Sequence, residues 1–362
     1  MAMTANCLEL IGPKNLVSNV YKIPKPGFNE AILKIEACGL CGTDHEQYSG
    51  LLPSSAPTIP GHEIIGVIEE IGEGGKERFN VNIGDRVAVE VFQSCRECRS
   101  CLAGHVNNCE VHGIFDMYGF ISSSKPPSLW GGYSTHLFLS ADALIHKVPP
   151  GLDPVVATIF NPLGAGIRWG VSVPETKAGD VVAILGPGIR GLCALAAVKD
   201  VGASFVMLTG YGEDDDERLK VGKSFGADVT VNVAEKEPDR VMKSEIGTLA
   251  DVVINVTANA PDAIGQAISL VRQGGTIVLA GTTGVADVKN LWPDNIIYKE
   301  ITIKGALGVD SNSYAKSLEL LEGKKYPFEH LPRKIVGLQG ASSLLEEMSG
   351  SKTRPIHGVI TP

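Results

Sequence analysis

From Asp180 onward the chain alternates short apolar runs with amphipathic ones, a rhythm that few architectures can accommodate. Residues 181–185 read as a short buried strand, Gly186-Pro187-Gly188-Ile189-Arg190-Gly191 follows at once, and 192–201 reads as a helix closed by Gly202. Glycines at the first, third and sixth places let such a turn fold tightly and bring a pyrophosphate close to a helix N-terminus. That makes Gly186, Gly188, Ile189, Arg190 and Gly191 the candidate dinucleotide contacts. The rhythm then repeats. Strands are predicted over 205–208, 229–231, 251–255 and 276–279, with helices over 217–225 and 261–271. Units of this kind predict a doubly wound parallel sheet, covered by helices on both faces, with ligand at the carboxyl ends of its strands.

At the end of the second strand a carboxylate commonly accepts hydrogen bonds from the adenosine ribose, whereas a cation accommodates a 2′-phosphate. Gly210 stands there. The acids Glu213, Asp214, Asp215 and Asp216 follow, and together they repel a 2′-phosphate unless Arg218 or Lys220 screens them, so NAD is favoured over NADP. The alternative is that this acidic run is only a solvated helix start, where negative charge is favoured anyway.

The first part of the chain reads as mostly β, with short strands over 31–37, 64–68 and 86–91 and no long helix. Just past the first of these comes Cys41-Gly42-Thr43-Asp44-His45-Glu46, and later Pro60-Gly61-His62-Glu63. A thiolate, an imidazole and a carboxylate suit Zn²⁺, which becomes catalytic when one of its four positions stays open. Cys41, His62 and Glu63 are therefore candidate ligands, against the alternative of a buried free thiol beside an ordinary loop histidine. Cys95, Cys98, Cys101 and Cys109 follow, with two, two and seven residues between them. Four thiolates that close can complete a tetrahedron around Zn²⁺ and mark a structural site; an iron–sulfur cluster and a pair of disulfides are the competing readings. Phe115, Tyr118, Phe120 and Trp130 are candidates for an apolar pocket or, alternatively, for pinning their loop to the core.

At 362 residues the chain exceeds what one hydrophobic core usually supports, so two domains are expected. With 44% hydrophobic and 20% charged residues it has the composition of a folded globular protein. A net charge of −9 argues against nucleic acid as a partner, Arg96 and Arg99 being too few to make a basic face on the cysteine lobe. No basic leader and no run of membrane-spanning length is present, which points to a cytoplasmic protein with thiols rather than disulfides.

With Gly61-His62-Glu63, the four-cysteine lobe and the Gly-x-Gly-x-x-Gly turn in this order, the chain resembles the zinc-containing medium-chain alcohol and polyol dehydrogenases over nearly its whole length. The resemblance implies a GroES-like, partly open β-barrel catalytic domain over residues 1–156 and 296–362, with a structural zinc lobe at 92–112. A Rossmann domain is implied over 157–295. It implies two zinc ions per chain, NAD with NADP possible, a small alcohol or ketone as substrate, and a homodimer or homotetramer. Cys41, His62 and Glu63 match the catalytic zinc site, Thr43 the hydroxyl that touches the substrate oxygen, and Asp44 the carboxylate that braces the ligands. Three departures stand out. Asn161 replaces a ligand that the family often supplies, Glu46 stands where many relatives place a relay histidine, and His357 falls nearest the place of a basic residue that meets the pyrophosphate, with Arg354 three residues earlier.

The implied reaction is hydride transfer between an alcohol and the nicotinamide. Tyr48, Leu51, Leu52, Phe115 and Trp130, as pocket candidates, tilt the substrate toward an apolar secondary alcohol over a polyol, sugar or threonine. A metal-independent reductase of similar fold and a catalytically inactive nucleotide-binding sensor are the competing classes.

Overall fold

The glycine turn and its flanking strand and helix form as read, with one shift of boundary. In the computed structural model, which describes residues 3–52, 56–284, 287–288, 291–349 and 354–362, the helix is Ile189–Asp200 and Gly188 is its extended N-cap. Ile189, Arg190 and Gly191 are thus its first turn, three residues earlier than the apolar periodicity indicates. Gly191 has to be glycine, because a Cβ there would collide with the carbonyl oxygen of Gly186.

Contacts divide the chain into two compact units, residues 1–161 with 310–362, and residues 162–309. The second contains six parallel strands in the spatial order Val229–Asn232, Phe205–Gly210, Val181–Leu185, Ala250–Asn255, Val271–Leu279 and Thr302–Gly305. This is the doubly wound order, whose strand sequence reverses at the glycine turn. Its core includes Ala183, Leu185, Met207, Val253 and Ile277, each at most 1% exposed. The unit extends past residue 295 because Thr302–Gly305 joins the sheet as its sixth strand. That strand carries exposed residues at three of its four positions and so lacks the apolar signal of its neighbours. The helix read over 261–271 is Ala263–Leu270; Val271 is extended and opens the next strand instead.

The first unit is a partly open barrel built on Ala31–Leu40. Its seven-stranded sheet runs Arg333–Val336, His357–Ile360, Ala31–Leu40, Glu63–Ile71, Arg86–Val89 and Ile145–Lys147, with His136–Leu139 pairing Ala31–Leu40 as well. All of these pairs are antiparallel except that between Arg333–Val336 and His357–Ile360. Ile32, Leu33, Ile64, Val87 and Leu137 are at most 1% exposed, and burying each side chain stabilises the sheet by about 1.5–3 kcal/mol. The strand that delivers Cys41 is therefore among the best anchored in the chain. Among the described residues no helix is long and apolar enough to cross a membrane.

Candidate active site

Ala31–Leu40 ends where Cys41 takes an extended conformation and caps the helix Gly42–Ser49. The cap is reciprocal: the Cys41 sulfur accepts from the backbone of Asp44, and Asp44 Oδ2 accepts from the Cys41 amide at 2.8 Å. A sulfur at a helix N-terminus sits in positive potential, which favours its thiolate form. Across the antiparallel ladder Gly39 lies opposite Glu63. A Cβ on residue 39 would collide with the Glu63 carboxylate, so the glycine makes the space that the carboxylate occupies.

The result is a group of buried donors. One ligand atom each from Cys41, His62 and Glu63 lies within 4.8 Å of the others, and the three residues are 4%, 6% and 3% exposed. Behind them Asp44, 1% exposed, holds Oδ1 3.3 Å from His62 Nδ1, and Thr43 Oγ1 is 3.4 Å from the Cys41 sulfur. Burial pushes the His62 imidazole down, but the Asp44 carboxylate and the Cys41 sulfur outweigh it and hold the group well above its ordinary value. Donors that grip a proton so firmly carry surplus negative charge, and a divalent cation satisfies it better. The donor set therefore fits zinc. Asn161 is buried as well, and Glu46 is half-buried on the Cys41-capped helix.

Two aromatic residues border this group: Phe120, a pocket candidate from the sequence, and Tyr133, which sequence reasoning missed. The Phe120 ring lies 5.7 Å from that of His62, and the fully buried Tyr133 packs on Gly61. Burial, and then the nearby Asp44, push the Tyr133 phenol well above its ordinary value, so it stays neutral. Neither residue sits in a spacing motif. The Gly131-Gly132-Tyr133 run signals only the return of a β pattern.

The other aromatic candidates have contacts of their own. Trp130 packs edge-on against Phe138 and donates its indole N–H to the Lys125 carbonyl at 2.7 Å, while Tyr118 is fully buried and accepts from the Ser140 amide. Tyr48 is in the core, and Leu51 and Phe115 are 67% and 57% exposed. Of the aromatics expected near the pocket, Phe120 is the one brought beside a ligand.

In the cysteine lobe the sulfurs of Cys95, Cys98, Cys101 and Cys109 lie within 4.8 Å of one another, with Cys95 and Cys101 3.9 Å apart. A tetrahedron with Zn–S bonds of about 2.3 Å has edges of about 3.8 Å, so the spacing fits. Backbone amides supply part of the charge compensation: the Cys98 amide donates to Cys95 and the Cys101 amide to Cys98. Burial raises the Cys109 thiol, but the amides of Cys95, His112 and Val111 outweigh this and bring it down to about 6. Cys95, Cys98, Cys101 and Cys109 are not joined in disulfides, which removes the disulfide reading of the lobe.

In the second unit Arg190 stacks over the Trp169 ring at 5.3 Å, and Arg218 Nη1 lies 3.7 Å from where a Cβ on Gly188 would stand. Gly210 ends its strand against the Pro187 ring. His357 corrects its expectation. It is 1% exposed in His357–Ile360, its Nε2 is 3.0 Å from Thr158 Oγ1, and burial together with the Arg333 charge brings its imidazole down to about 3. A buried neutral ring offers a pyrophosphate no positive charge.

Comparison with known proteins agrees with both halves. The family described as alcohol dehydrogenase GroES-like domain matches residues 27–150, and that described as zinc-binding dehydrogenase matches 191–323. A protein described as probable alcohol dehydrogenase from Mycobacterium tuberculosis H37Rv is 52% identical over 98% of both chains. An erythritol/L-threitol dehydrogenase of Mycolicibacterium smegmatis is 29% identical over 88% of this chain and 87% of its own. The crystal structure of an alcohol dehydrogenase from Thermotoga maritima has the same fold, with a TM-score of 0.88 at 24% identity, covering 99% of this chain and 100% of that one.

Proposed function

The chain belongs to the zinc-containing medium-chain alcohol dehydrogenase family and is an oxidoreductase, and from that premise we propose that it oxidises a fairly apolar secondary alcohol to its ketone, reversibly, with NAD or NADP. The observation that carries this reading is the convergence of Cys41, His62 and Glu63 with Asp44 behind them. Those three residues would hold the catalytic zinc, and Cys95, Cys98, Cys101 and Cys109 the structural one. When bound, zinc supplies a Lewis acid that makes an alcohol hydroxyl easier to ionise, and the nicotinamide supplies the hydride acceptor.

The chain's own residues then divide the work. Asp44 fixes the orientation and tautomer of His62 through Nδ1, leaving the other ring nitrogen for the metal. Thr43 relays the proton that leaves the substrate hydroxyl, taking it up as it gives its own hydroxyl proton onward. Glu46, one turn on along the same helix and half-buried, is the acceptor for its onward transfer. Phe120 gives an apolar wall beside His62, which supports an apolar substrate over a polyol. Gly186, Gly188, Ile189, Arg190 and Gly191 present amides and one cation to the pyrophosphate.

We further assign the protein to the cytoplasm, in keeping with a cysteine lobe free of disulfides, and to a homodimer or homotetramer. The outer edge of Thr302–Gly305 is unpaired among the described residues, with Ile297, Tyr298 and Leu307 exposed nearby in sequence, a combination suited to pairing with a second copy. Sedimentation velocity tests that assembly. The reaction is tested by an alcohol panel read through reduced-nicotinamide absorbance with both dinucleotides, alongside metal analysis. Turnover of apolar secondary alcohols with about two zinc ions per chain supports the proposal. Turnover that survives with the catalytic zinc gone would overturn it.

A further inference from the structure

The Phe120 ring stands beside His62, yet the segment that carries it, residues 119–123, belongs to no helix and no named strand. Apart from one bridge between Thr58 and Ser122, its place is set by buried polar side chains. Gln47, 1% exposed, donates from Nε2 to the Gly119 carbonyl at 3.0 Å. The fully buried Thr58 donates from Oγ1 to the Ile121 carbonyl at 2.9 Å. Ser123 donates to the buried Glu9 carboxylate, which also accepts from Tyr21 Oη at 2.6 Å and from Asn19 Nδ2 at 3.0 Å. Phe120 therefore sits between two tethered carbonyls.

These anchors differ in what they join. Thr58 and Glu9 fasten the segment to loop and hairpin, whereas Gln47 fastens it to Gly42–Ser49, the helix that Cys41 caps and that carries Thr43 and Asp44. Thr43 and Gln47 are four residues apart and so share one face of that helix. Gln47 Oε1 has no hydrogen-bond partner among the described residues, so the hold on the segment rests on the Nε2 bond. Gly119 is confined from the other side: a Cβ there would stand 2.7 Å from the carbonyl oxygen of Gly61, the residue before His62.

We propose that Gln47 is a positioning residue for substrate selection: by holding the Gly119 carbonyl it fixes the distance of the Phe120 ring from His62, and so the width of the apolar slot beside the reacting alcohol. This rests on the reading of Cys41, His62 and Glu63 as an alcohol-binding zinc site. A ring tethered on both sides is a rigid wall. It accepts a straight apolar substituent and excludes one branched next to the carbinol carbon, because a packed wall that cannot yield discriminates by shape.

The test compares two isomeric secondary alcohols, 2-pentanol and 3-methyl-2-butanol, with the full-length zinc-loaded protein. The wild type should favour the straight isomer at least about tenfold in kcat/KM, the scale at which an apolar pocket resolves one misplaced methyl group. Gln47→Met keeps the side-chain length and Gln47→Asn keeps an amide, but neither reaches Gly119 with a donor. Each should lower the ratio to about threefold or less through a raised KM for 2-pentanol, with both zinc ions retained. In a Phe120→Ala background, where no ring remains to be held, Gln47→Met should leave the ratio unmoved, since one residue then acts only through the other. A wild-type ratio near one, a ratio untouched in both Gln47 variants, an additive double variant, or failure of both Gln47 variants to fold overturns the assignment of Gln47 alone. Oxidation of neither alcohol by the zinc-loaded wild type removes the reading of the site beneath it and the assignment together.

Discussion

Asp44 Oδ1 stands 3.3 Å from His62 Nδ1 while its other oxygen takes the Cys41 amide, so a single buried carboxylate positions two candidate zinc ligands at once. One ligand caps a helix and the other immediately precedes the strand Glu63–Ile71. Asp44 joins them, which makes it the residue whose removal should loosen the metal without unfolding the barrel.

Asp44→Asn keeps an acceptor for the Cys41 amide but removes the charge behind His62. Zinc affinity at the catalytic site should fall about 10- to 100-fold, with activity following, while the melting temperature with both metals bound changes little. Chelator competition followed by metal analysis measures the loss. Unchanged retention would show that Asp44 only caps its helix.

Gly39→Ala tests the space opposite Glu63. The added methyl group would meet the Glu63 carboxylate and, at 3.2 Å, Thr158 Cβ. Because the strand is held by buried neighbours on both sides, the carboxylate is the part able to move. Zinc should fall from about two toward one per chain, with the lobe metal retained.

Cys101→Ser should remove the other metal. The lobe rests on only a small apolar cluster, Val91, Phe92 and Val106, with Met117 and Leu144 against it, which is too little to order the segment by burial alone. Limited proteolysis should therefore cut within 95–115 in the variant and not in the parent, and zinc should fall by about one per chain. An intact lobe after zinc loss would mean that packing suffices.

His357 gives the protein a sensitivity to acid. Its folded-state value, brought down to about 3 by burial and by Arg333, lies below the ordinary 6.5, so the unfolded chain takes up a proton that the folded chain refuses. Its contribution is fully present above pH 6.5 and is lost as pH falls below that value; at pH 5 the loss is about 2 kcal/mol. Thermal melts between pH 7 and pH 5 should show a shallower decline for His357→Gln than for the parent. Parallel curves would mean that the ring protonates in place.

The local signals in the sequence reached the site because the groups that matter lie within a few residues of each other. Cys41, Thr43 and Asp44 share one helical turn, His62 and Glu63 are adjacent, and the lobe cysteines span fifteen positions. The strand and helix pattern after Asp180 likewise reports on neighbours in sequence. Long-range pairing has no such signature. Nothing local indicates that His357–Ile360 lies beside Ala31–Leu40, and so the burial of His357 was not legible. The helix Pro238–Ile246 was legible and missed: it opens with Pro at its first position and closes on a left-handed Gly247, a start and stop pair that apolar periodicity alone overlooks.

Ala31–Leu40 has Glu63–Ile71 on one side and His357–Ile360 on the other, and the latter is translated only after the whole of 162–309. During synthesis the end of that strand nearest the Cys41 thiol, residues 38–40, therefore waits with one edge unpaired while an entire nucleotide-binding module is made, although His136–Leu139 can already pair its beginning. The last rung beside that thiol is laid down late, and a short bare β edge is exposed for the whole interval.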